Sequence, residues 1–169
     1  MMHDIHQVTT GAQLADTRSL MRDFVAWHRE RHVEDLALID RYFDAAEFER
    51  ELAGLPGKYA PDRGTLLIAY ADGQPAGCVA MRDLGGGFCE MKRMFVPGAF
   101  RGRGIGRALA GRVIADATSA GYRAMRLDTS RRQDEAMRLY ESLGFRRIEP
   151  YYALTDDLRD WLVFFERPL

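Results

Sequence analysis

The segment RGRGIGRALAG, residues 101–111, is the feature that most limits how this 169-residue chain can fold. Arginine and glycine alternate through its first half, and an apolar helical pattern follows at once. Because each interior glycine destabilises a helix by roughly 0.5–1 kcal/mol relative to alanine, helix formation alone does not explain this composition. The pattern indicates a turn at the start of a helix where another molecule approaches the backbone closely.

The start of this predicted helix is suited to binding a phosphate. The first amides of a helix have no internal acceptor and lie at the positive end of the helix dipole. Three glycines leave those amides accessible and three arginines add charged donors: Gly102, Gly104, Gly106, Arg101, Arg103 and Arg107. The letters fit neither the P-loop, which needs Lys-Ser or Lys-Thr after a glycine, nor the dinucleotide fingerprint, where Leu109 occupies the last glycine position. A solvated turn without a ligand stays open as the alternative.

The charge distribution limits the partners. The net charge is −1, but residues 101–147 carry 11 arginines against five acidic residues, and residues 1–60 carry seven basic and 11 acidic residues. A nearly neutral chain with one basic block favours a small polyanion over nucleic acid. The start of the chain lacks the pattern of a signal peptide, and the longest apolar stretch, LLIAYA, is too short to cross a bilayer. We therefore expect a cytoplasmic location and no membrane partner.

Hydrophobic periodicity and turn signals predict one domain over residues 1–169. The predicted elements are a strand at Ile5–Val8, a helix capped by Thr10 and Gln13 that runs to about His32, a helix over Asp40–Ala53, three hairpin-connected strands from Thr65 to Val96, a helix from Ile105 that is closed by Gly121, a strand at Arg123–Asp128, a helix from its cap at Ser130 to Leu143, and strands at Phe145–Ile148 and Trp161–Arg167. Strands that are first paired as hairpins and then separated by helices predict an α/β or α+β fold, with a mixed, mostly antiparallel central sheet flanked by helices.

Two segments in this order resemble the GNAT superfamily of N-acetyltransferases: CEMKRMFVPGAFRGRGIGRALAGRVI and LDTSRRQDEAMRLYESLGFRRI. The superfamily motif [QR]-x-x-G-x-[GA] is matched by Arg101, Gly104 and Gly106, and a LYESLGF-like segment follows in a later helix. The similarity is strongest from Glu90 to Arg147. The resemblance implies the GNAT fold, acetyl-CoA as acyl donor, no metal, and direct attack by a small or peptidyl primary amine that the sequence does not identify.

The resemblance also implies which residues bind the cofactor. The loop amides would hold the diphosphate, and the preceding strand would hydrogen-bond the pantetheine arm. The cofactor-binding positions are then Met94, Phe95, Val96, Arg101, Gly102, Arg103, Gly104, Ile105, Gly106 and Arg107. A non-catalytic acyl-CoA-binding domain for sensing or assembly is the alternative, and the oligomeric state, monomer or homodimer, stays open.

Acetyl transfer to an amine requires a proton acceptor for the ammonium and a proton donor for the departing thiolate. Tyr140 is the donor that the resemblance implies, although it also shares an apolar helix stripe with Leu139 and Leu143 and packing is the competing interpretation. Glu90 is the candidate acceptor, because a charged residue on a central strand breaks the usual burial rule. A structural ion pair with Lys92 or Arg93 is equally compatible with the sequence.

Strict alternation predicts that Glu90 and Lys92 share a strand face with Met94 and Val96. Arg93 would then lie on the opposite face. Near the start of the later helix, where many relatives have an asparagine that contacts the cofactor, this chain has Ser130, Arg131, Arg132 and Gln133. That contact is not assigned from sequence. His28 and His32 have helical spacing, but the Glu that follows the first His in metalloprotease motifs is missing, so we expect no metal.

Overall fold

A computed structural model describes residues 3–169, and seven strands form one sheet in it. The strands are β1 (Asp4–Gln7), β2 (Thr65–Ala71), β3 (Gln74–Gly85), β4 (Phe88–Phe95), β5 (Ala124–Ser130), β6 (Arg146–Ile148) and β7 (Leu162–Pro168). Their spatial order is β1-β2-β3-β4-β5-β7-β6, and every neighbouring pair is antiparallel except β4 and β5, which are parallel. The predicted mixed, mostly antiparallel sheet is confirmed.

In the described part of the chain, six α-helices cover the two faces of this sheet. They are α1 (Gly11–Arg31), α2 (Leu36–Tyr42), α3 (Ala45–Ala53), α4 (Ile105–Ser119), α5 (Asp134–Ser142) and α6 (Asp156–Trp161). One core contains the apolar stripes of α4 and α5, and the second core contains those of α1, α2 and α3. Across residues 3–169, every helix falls short of the length and hydropathy that a bilayer crossing requires.

Sequence patterns formed by neighbouring residues predicted one helix cap and one hairpin turn correctly. The Thr10 hydroxyl accepts from the Gln13 amide at 3.1 Å while the Gln13 side chain accepts from the Thr10 amide at 3.1 Å, as the predicted capping box requires. Asp72 and Gly73 both have positive φ, 54° and 74°, in the β2–β3 hairpin. This is the conformation that the Asp-Gly pair favours in a two-residue turn.

The predicted helix over Asp40–Ala53 is wrong, because it consists of two helices. Helix α2 ends at Tyr42, and α3 begins at Ala45. The Asp44 carboxylate between them accepts from the Glu47 amide at 3.0 Å, which caps α3 and competes with continuation of α2. The apolar pattern runs across this break and conceals it.

The predicted cap at Ser130 is also wrong. Ser130 is the last residue of β5, where it pairs with Leu162 of β7, and its buried hydroxyl has no partner within residues 3–169. Helix α5 begins at Asp134, after Gln133. Pairing with β7, which lies later in the chain, extends β5 beyond the predicted end at Asp128.

A bulge in β4 changes which side chains face each side of the sheet. Arg93 has φ 59°, and the β3–β4 pairing jumps from Ala80–Lys92 to Cys78–Phe95. The extra residue reverses the alternation beyond it. Met94 and Val96 therefore pack toward α4, and the predicted face that they shared with Glu90 and Lys92 is wrong.

Candidate functional site

The parallel strands β4 and β5 separate near the middle of the sheet. Their pairing runs from Phe88–Ala124 to Glu90–Arg126. Beyond that point residues 91–94 of β4 and 127–130 of β5 line a small cavity of about 50 Å³. The separation leaves strand-edge groups of β4 available to a ligand, because these groups have lost their neighbouring strand. We call this space the central cavity.

A larger cleft of about 490 Å³ lies beside the central cavity, between the end of β4 and the starts of α4 and α5. Nine of the ten predicted cofactor positions line this cleft: Met94, Phe95, Val96, Arg101, Gly102, Gly104, Ile105, Gly106 and Arg107. Arg103 is the exception, and its guanidinium instead pairs with Asp72 at 2.9 Å. The structure thus brings the loop and the strand end together on one wall.

The loop before α4 presents a run of backbone amides without acceptors. The first helical bond runs from the Ala108 amide to the Gly104 carbonyl at 3.0 Å, so within residues 3–169 the amides of residues 102–107 have no backbone acceptor. Gly102 and Gly104 have φ 78° and 80°, a region that other residues rarely adopt. The loop geometry therefore depends on these two glycines, and its amides lie at the positive end of the α4 dipole.

Two of the loop arginines also hold the cleft walls in place. The Arg101 guanidinium donates to the Val96 carbonyl at 3.0 Å and lies 4.5 Å from the centre of the Trp27 ring. Arg107 donates to the Ser142 hydroxyl at 2.7 Å, which ties α4 to the end of α5. Both arginines line the cleft and add positive charge beside the free amides.

Tyr140 lies on α5 and lines the central cavity. The residue is buried, and its ring packs against Phe145 and Phe165 with ring centres 5.9 and 6.3 Å away. Burial and then the nearby Asp128 charge raise the pKa of the Tyr140 hydroxyl, so the phenol carries its proton at neutral pH. Packing therefore fixes the Tyr140 ring at the wall of the central cavity.

Glu90 lies elsewhere. It is 1% exposed and accepts from Arg82 Nε at 2.8 Å and from the Tyr151 hydroxyl, with Lys92 Nζ at 3.6 Å. Burial alone would raise the pKa of Glu90, but Lys92, Tyr151 and Arg82 together lower it. Within residues 3–169, the lining of the central cavity includes Tyr140 but not Glu90. The structure does not bring the two predicted catalytic residues to the same cavity.

Asp128 lines the central cavity and was missed by the sequence analysis. One of its carboxylate oxygens accepts from the Tyr42 hydroxyl, and the other accepts from the Tyr152 hydroxyl at 2.5 Å. A signal was present, because alternation along the predicted strand Arg123–Asp128 already placed Arg126 and Asp128 on one face of a central strand. The same rule had singled out Glu90.

Gln133 lies between the cleft and the central cavity, beside the buried His28. Gln133 lines both spaces, and its Nε2 lies 3.2 Å from Nε2 of His28. Burial lowers the pKa of His28 to about 4, with smaller effects from His32 and Arg101, so the imidazole is neutral at pH 7. Of the residues near the start of α5, Gln133 is therefore the one that lines both spaces and has a side chain fixed by a buried neighbour.

The central cavity lies between two larger openings. It shares Phe24, Met94 and Gln133 with the cleft. On its other side it shares Tyr42, Phe43 and Arg93 with a second opening of about 450 Å³ beside α3. Residues 3–169 contain no group of three or more His, Cys, Asp or Glu side chains placed to hold a metal ion. The arrangement suits two organic ligands that meet at one point.

Residues 22–145 match the family model described as the acetyltransferase (GNAT) family. The chain is 43% identical over 104 residues to an uncharacterised N-acetyltransferase of Schizosaccharomyces pombe, an alignment that covers 60% of this chain and 64% of that protein, slightly under two thirds of its length.

Two solved structures share the fold. A GNAT-family acetyltransferase from Staphylococcus aureus has a TM-score of 0.75 at 20% identity over 99% of both chains. The PaiA N-acetyltransferase of Thermoplasma acidophilum, solved in complex with coenzyme A, has a TM-score of 0.72 at 15% identity over the whole of both chains.

Proposed function

Because this chain belongs to the acetyltransferase (GNAT) family, we propose that it is an acetyl-CoA-dependent N-acetyltransferase in which a primary amine attacks the bound thioester directly. The observation that supports direct attack is the central cavity, which contains Tyr140 and lies between two openings. Acetyl-CoA would enter from the cleft and the amine from the second opening. Holding both reactants at one point makes the reaction effectively unimolecular.

The cofactor pose that we propose follows from the cleft. The diphosphate accepts hydrogen bonds from the amides of residues 102–107, beside Arg101 and Arg107. The pantetheine arm lies along the free edge of β4 and pairs with the backbone of Met94, Phe95 and Val96 as an added strand would. This path directs the thioester into the central cavity, because Met94 lines both spaces.

In this proposal Tyr140 donates the proton to the departing sulfur. The amine nitrogen forms a bond to the carbonyl carbon, the carbon–sulfur bond then breaks, and the thiolate takes the phenolic proton. A phenol and a thiol have similar pKa values in water, so a buried phenol is a suitable acid for a thiolate that forms in the same buried environment. The raised pKa of Tyr140 ensures that the proton is present when the sulfur leaves.

For Glu90 we propose the ion-pair role that the sequence left open. Its carboxylate is surrounded by two cations and a tyrosine hydroxyl, and it lies outside the lining of the central cavity. A carboxylate held in this way stabilises the charged face of the sheet. Residues 1–169 would form a single acetyltransferase domain, which is supported by one sheet that contains both β1 and β7.

The test uses the purified protein, acetyl-CoA and five amines: spermidine, L-lysine, L-aspartate, glucosamine and 2-phenylethylamine. Thiol release with formation of the acetylated amine supports the proposal, and initial rates at varied concentrations of both reactants should give intersecting reciprocal plots. Parallel plots together with an acetylated protein intermediate would contradict direct attack. Tight coenzyme A binding with no transfer to any amine would favour a sensing or assembly domain.

Replacing Tyr140 by Phe tests the proton donor. The change keeps the ring packing but removes the acid, so we expect kcat to fall by about 10²–10⁴-fold while the Kd for coenzyme A stays within about twofold. Tyr122→Phe is the matched control, because Tyr122 is a buried tyrosine whose hydroxyl donates to the Arg63 carbonyl, away from the cavity. An equal loss of kcat and of coenzyme A affinity in Tyr140→Phe would assign Tyr140 to packing alone.

A further inference from the structure

We propose that Asp128 binds the ammonium group of the acceptor and takes its proton before the nitrogen attacks the thioester. This inference rests on the proposed function, since it names the group that prepares the amine for direct attack. It replaces the role that the sequence suggested for Glu90.

The first observation is that Asp128 lacks a cationic partner among the described residues. The acidic side chains near it are paired: Glu90 with Arg82 and Lys92, and Glu51 with Arg93 and Lys58. Within residues 3–169 no Lys, Arg or His nitrogen lies within 4.0 Å of the Asp128 carboxylate. A half-buried carboxylate without a counter-ion is unfavourable, and a cationic ligand would stabilise it.

The second observation is that the Asp128 carboxylate has a fixed orientation and spare acceptor capacity. Tyr42 and Tyr152 each donate to a different carboxylate oxygen. An ionised carboxylate has about four lone-pair sites, so an ammonium group can still bind to it. Tyr42 also lines the second opening, through which the amine would enter.

The third observation is the proximity of Asp128 to Tyr140. Both residues line the central cavity, whose volume of about 50 Å³ leaves room for one reaction centre. The charge of Asp128 also contributes to the raised pKa of Tyr140, so the two groups interact electrostatically. The cavity thus places a proton acceptor and a proton donor around the same space.

Other charged or titratable groups line the same cavity, and none of them suits the acceptor role. Lys92 and Arg93 carry positive charge and would repel an ammonium, whereas the neutral His28 has no charge to bind one and its Nε2 is engaged by Gln133. Tyr42, like Tyr140, holds its proton because burial raises its pKa. Asp128 is the acidic side chain in this lining among residues 3–169.

The protons balance in the proposed sequence. The ammonium transfers one proton to Asp128, and the free amine attacks the carbonyl carbon. When the carbon–sulfur bond breaks, the thiolate takes the Tyr140 proton. The nitrogen of the new amide then gives its second proton to the tyrosinate. Asp128 then releases its proton to solvent. Bound acetyl-CoA excludes water from the cavity, which favours transfer within the ammonium–carboxylate pair because the neutral pair is stabilised relative to the charged one.

The test compares Asp128→Asn with the matched control Asp116→Asn, which alters an exposed ion pair with Arg112 on α4. The first readout is kcat/KM for any amine of the five that is acetylated, measured from pH 7 to 10. We expect Asp128→Asn to be at least about 100-fold slower at pH 7 and the deficit to shrink towards pH 10, where the amine loses its proton to solvent. Asp116→Asn should match the unmodified protein.

The second readout needs no turnover. The coenzyme A complex is titrated with n-butylamine hydrochloride at pH 7, and the amide NMR signals of Leu127 and Thr129 are followed. We expect binding in the unmodified protein and in Asp116→Asn, and about tenfold weaker binding in Asp128→Asn, with coenzyme A affinity unchanged.

These measurements distinguish failure of the proposed role of Asp128 from failure of the proposed acetyltransferase function. Unchanged turnover in Asp128→Asn, a deficit that does not shrink at high pH, or absence of butylamine binding in the unmodified protein would overturn the role of Asp128. If none of the five amines is acetylated, the proposed function fails on this panel, while the butylamine titration still tests whether Asp128 binds an ammonium group.

Discussion

At the residue scale, two carboxylates on neighbouring strands occupy opposite electrostatic settings. Glu90 lies between Arg82 and Lys92, whereas Asp128 accepts from two tyrosine hydroxyls and, within residues 3–169, has no cationic nitrogen within 4.0 Å. A paired carboxylate holds its charge for structural reasons, and an unpaired one attracts a cation. The two residues are therefore expected to respond differently when their charge is removed.

Glu90→Gln should lower stability more than it lowers turnover. The change leaves Arg82 and Lys92 without their buried partner, which we expect to cost about 3–5 kcal/mol of unfolding free energy at pH 7 in urea titrations. Glu149→Gln is the matched control, because Glu149 is 92% exposed, and it should change stability by less than about 0.5 kcal/mol. An unchanged stability with lost turnover would assign Glu90 to the chemistry instead.

The sign of the pH dependence follows from the lowered pKa of Glu90. As the pH falls, Glu90 of the unfolded chain binds its proton first, near the ordinary Glu pKa of about 4.3. The contribution of Glu90 to the free energy of unfolding is therefore fully present above that pH. It is lost as the pH falls through the lowered folded pKa. Unfolding free energy measured between pH 7 and pH 3 should therefore fall less steeply in Glu90→Gln than in the unmodified protein.

At the element scale, the signals that are local in sequence predicted structure well. The capping box of α1 and the Asp72-Gly73 turn are decided by neighbouring residues, and both are as predicted. The break before α3 and the end of β5 at Ser130 depend on a side-chain cap and on pairing with β7. Strand alternation does not predict the bulge at Arg93, so the prediction that Met94 shares a strand face with Glu90 was wrong.

The same distinction explains which parts of the candidate site were predictable. The loop of residues 101–107 is a contiguous motif, and its sequence alone indicated an anion site. The central cavity exists because β4 and β5 are neighbours that separate after Glu90, a fact of topology and not of any motif. Alternation placed the charged residues Arg126 and Asp128 on one face of the predicted strand, but only the separation of β4 and β5 makes Asp128 a lining residue of the central cavity.

The left-handed glycine at the start of α4 provides a matched pair of substitutions. Gly104 has φ 80° at the N-terminus of α4 and Gly121 has φ 88° just beyond its C-terminus, so alanine should cost about 1–2 kcal/mol of stability at either site. Only Gly104→Ala should also weaken coenzyme A binding, by at least about tenfold, because loss of one charge-assisted hydrogen bond costs about 1.5–3 kcal/mol. Calorimetric titration with coenzyme A decides this, and equal affinities in the two variants would mean that the loop does not hold the cofactor.

At the scale of the whole molecule, one sheet with a separated pair of strands organises both ligands. The helices of one face supply the loop and Tyr140, and those of the other face supply the walls of the second opening. The central cavity lies between the openings on the two faces of the sheet. The fold therefore lets a large polyanionic cofactor and a separate amine reach one reaction centre from different directions.

Both ligand sites depend on the amides at the start of α4, which we propose bind the diphosphate of coenzyme A. A crystal structure of the protein with saturating coenzyme A tests this binding. We expect diphosphate oxygens within about 3.2 Å of amide nitrogens in residues 102–107, and the sulfur in the central cavity beside the Tyr140 hydroxyl. A coenzyme A molecule bound elsewhere, with the loop empty, would contradict it.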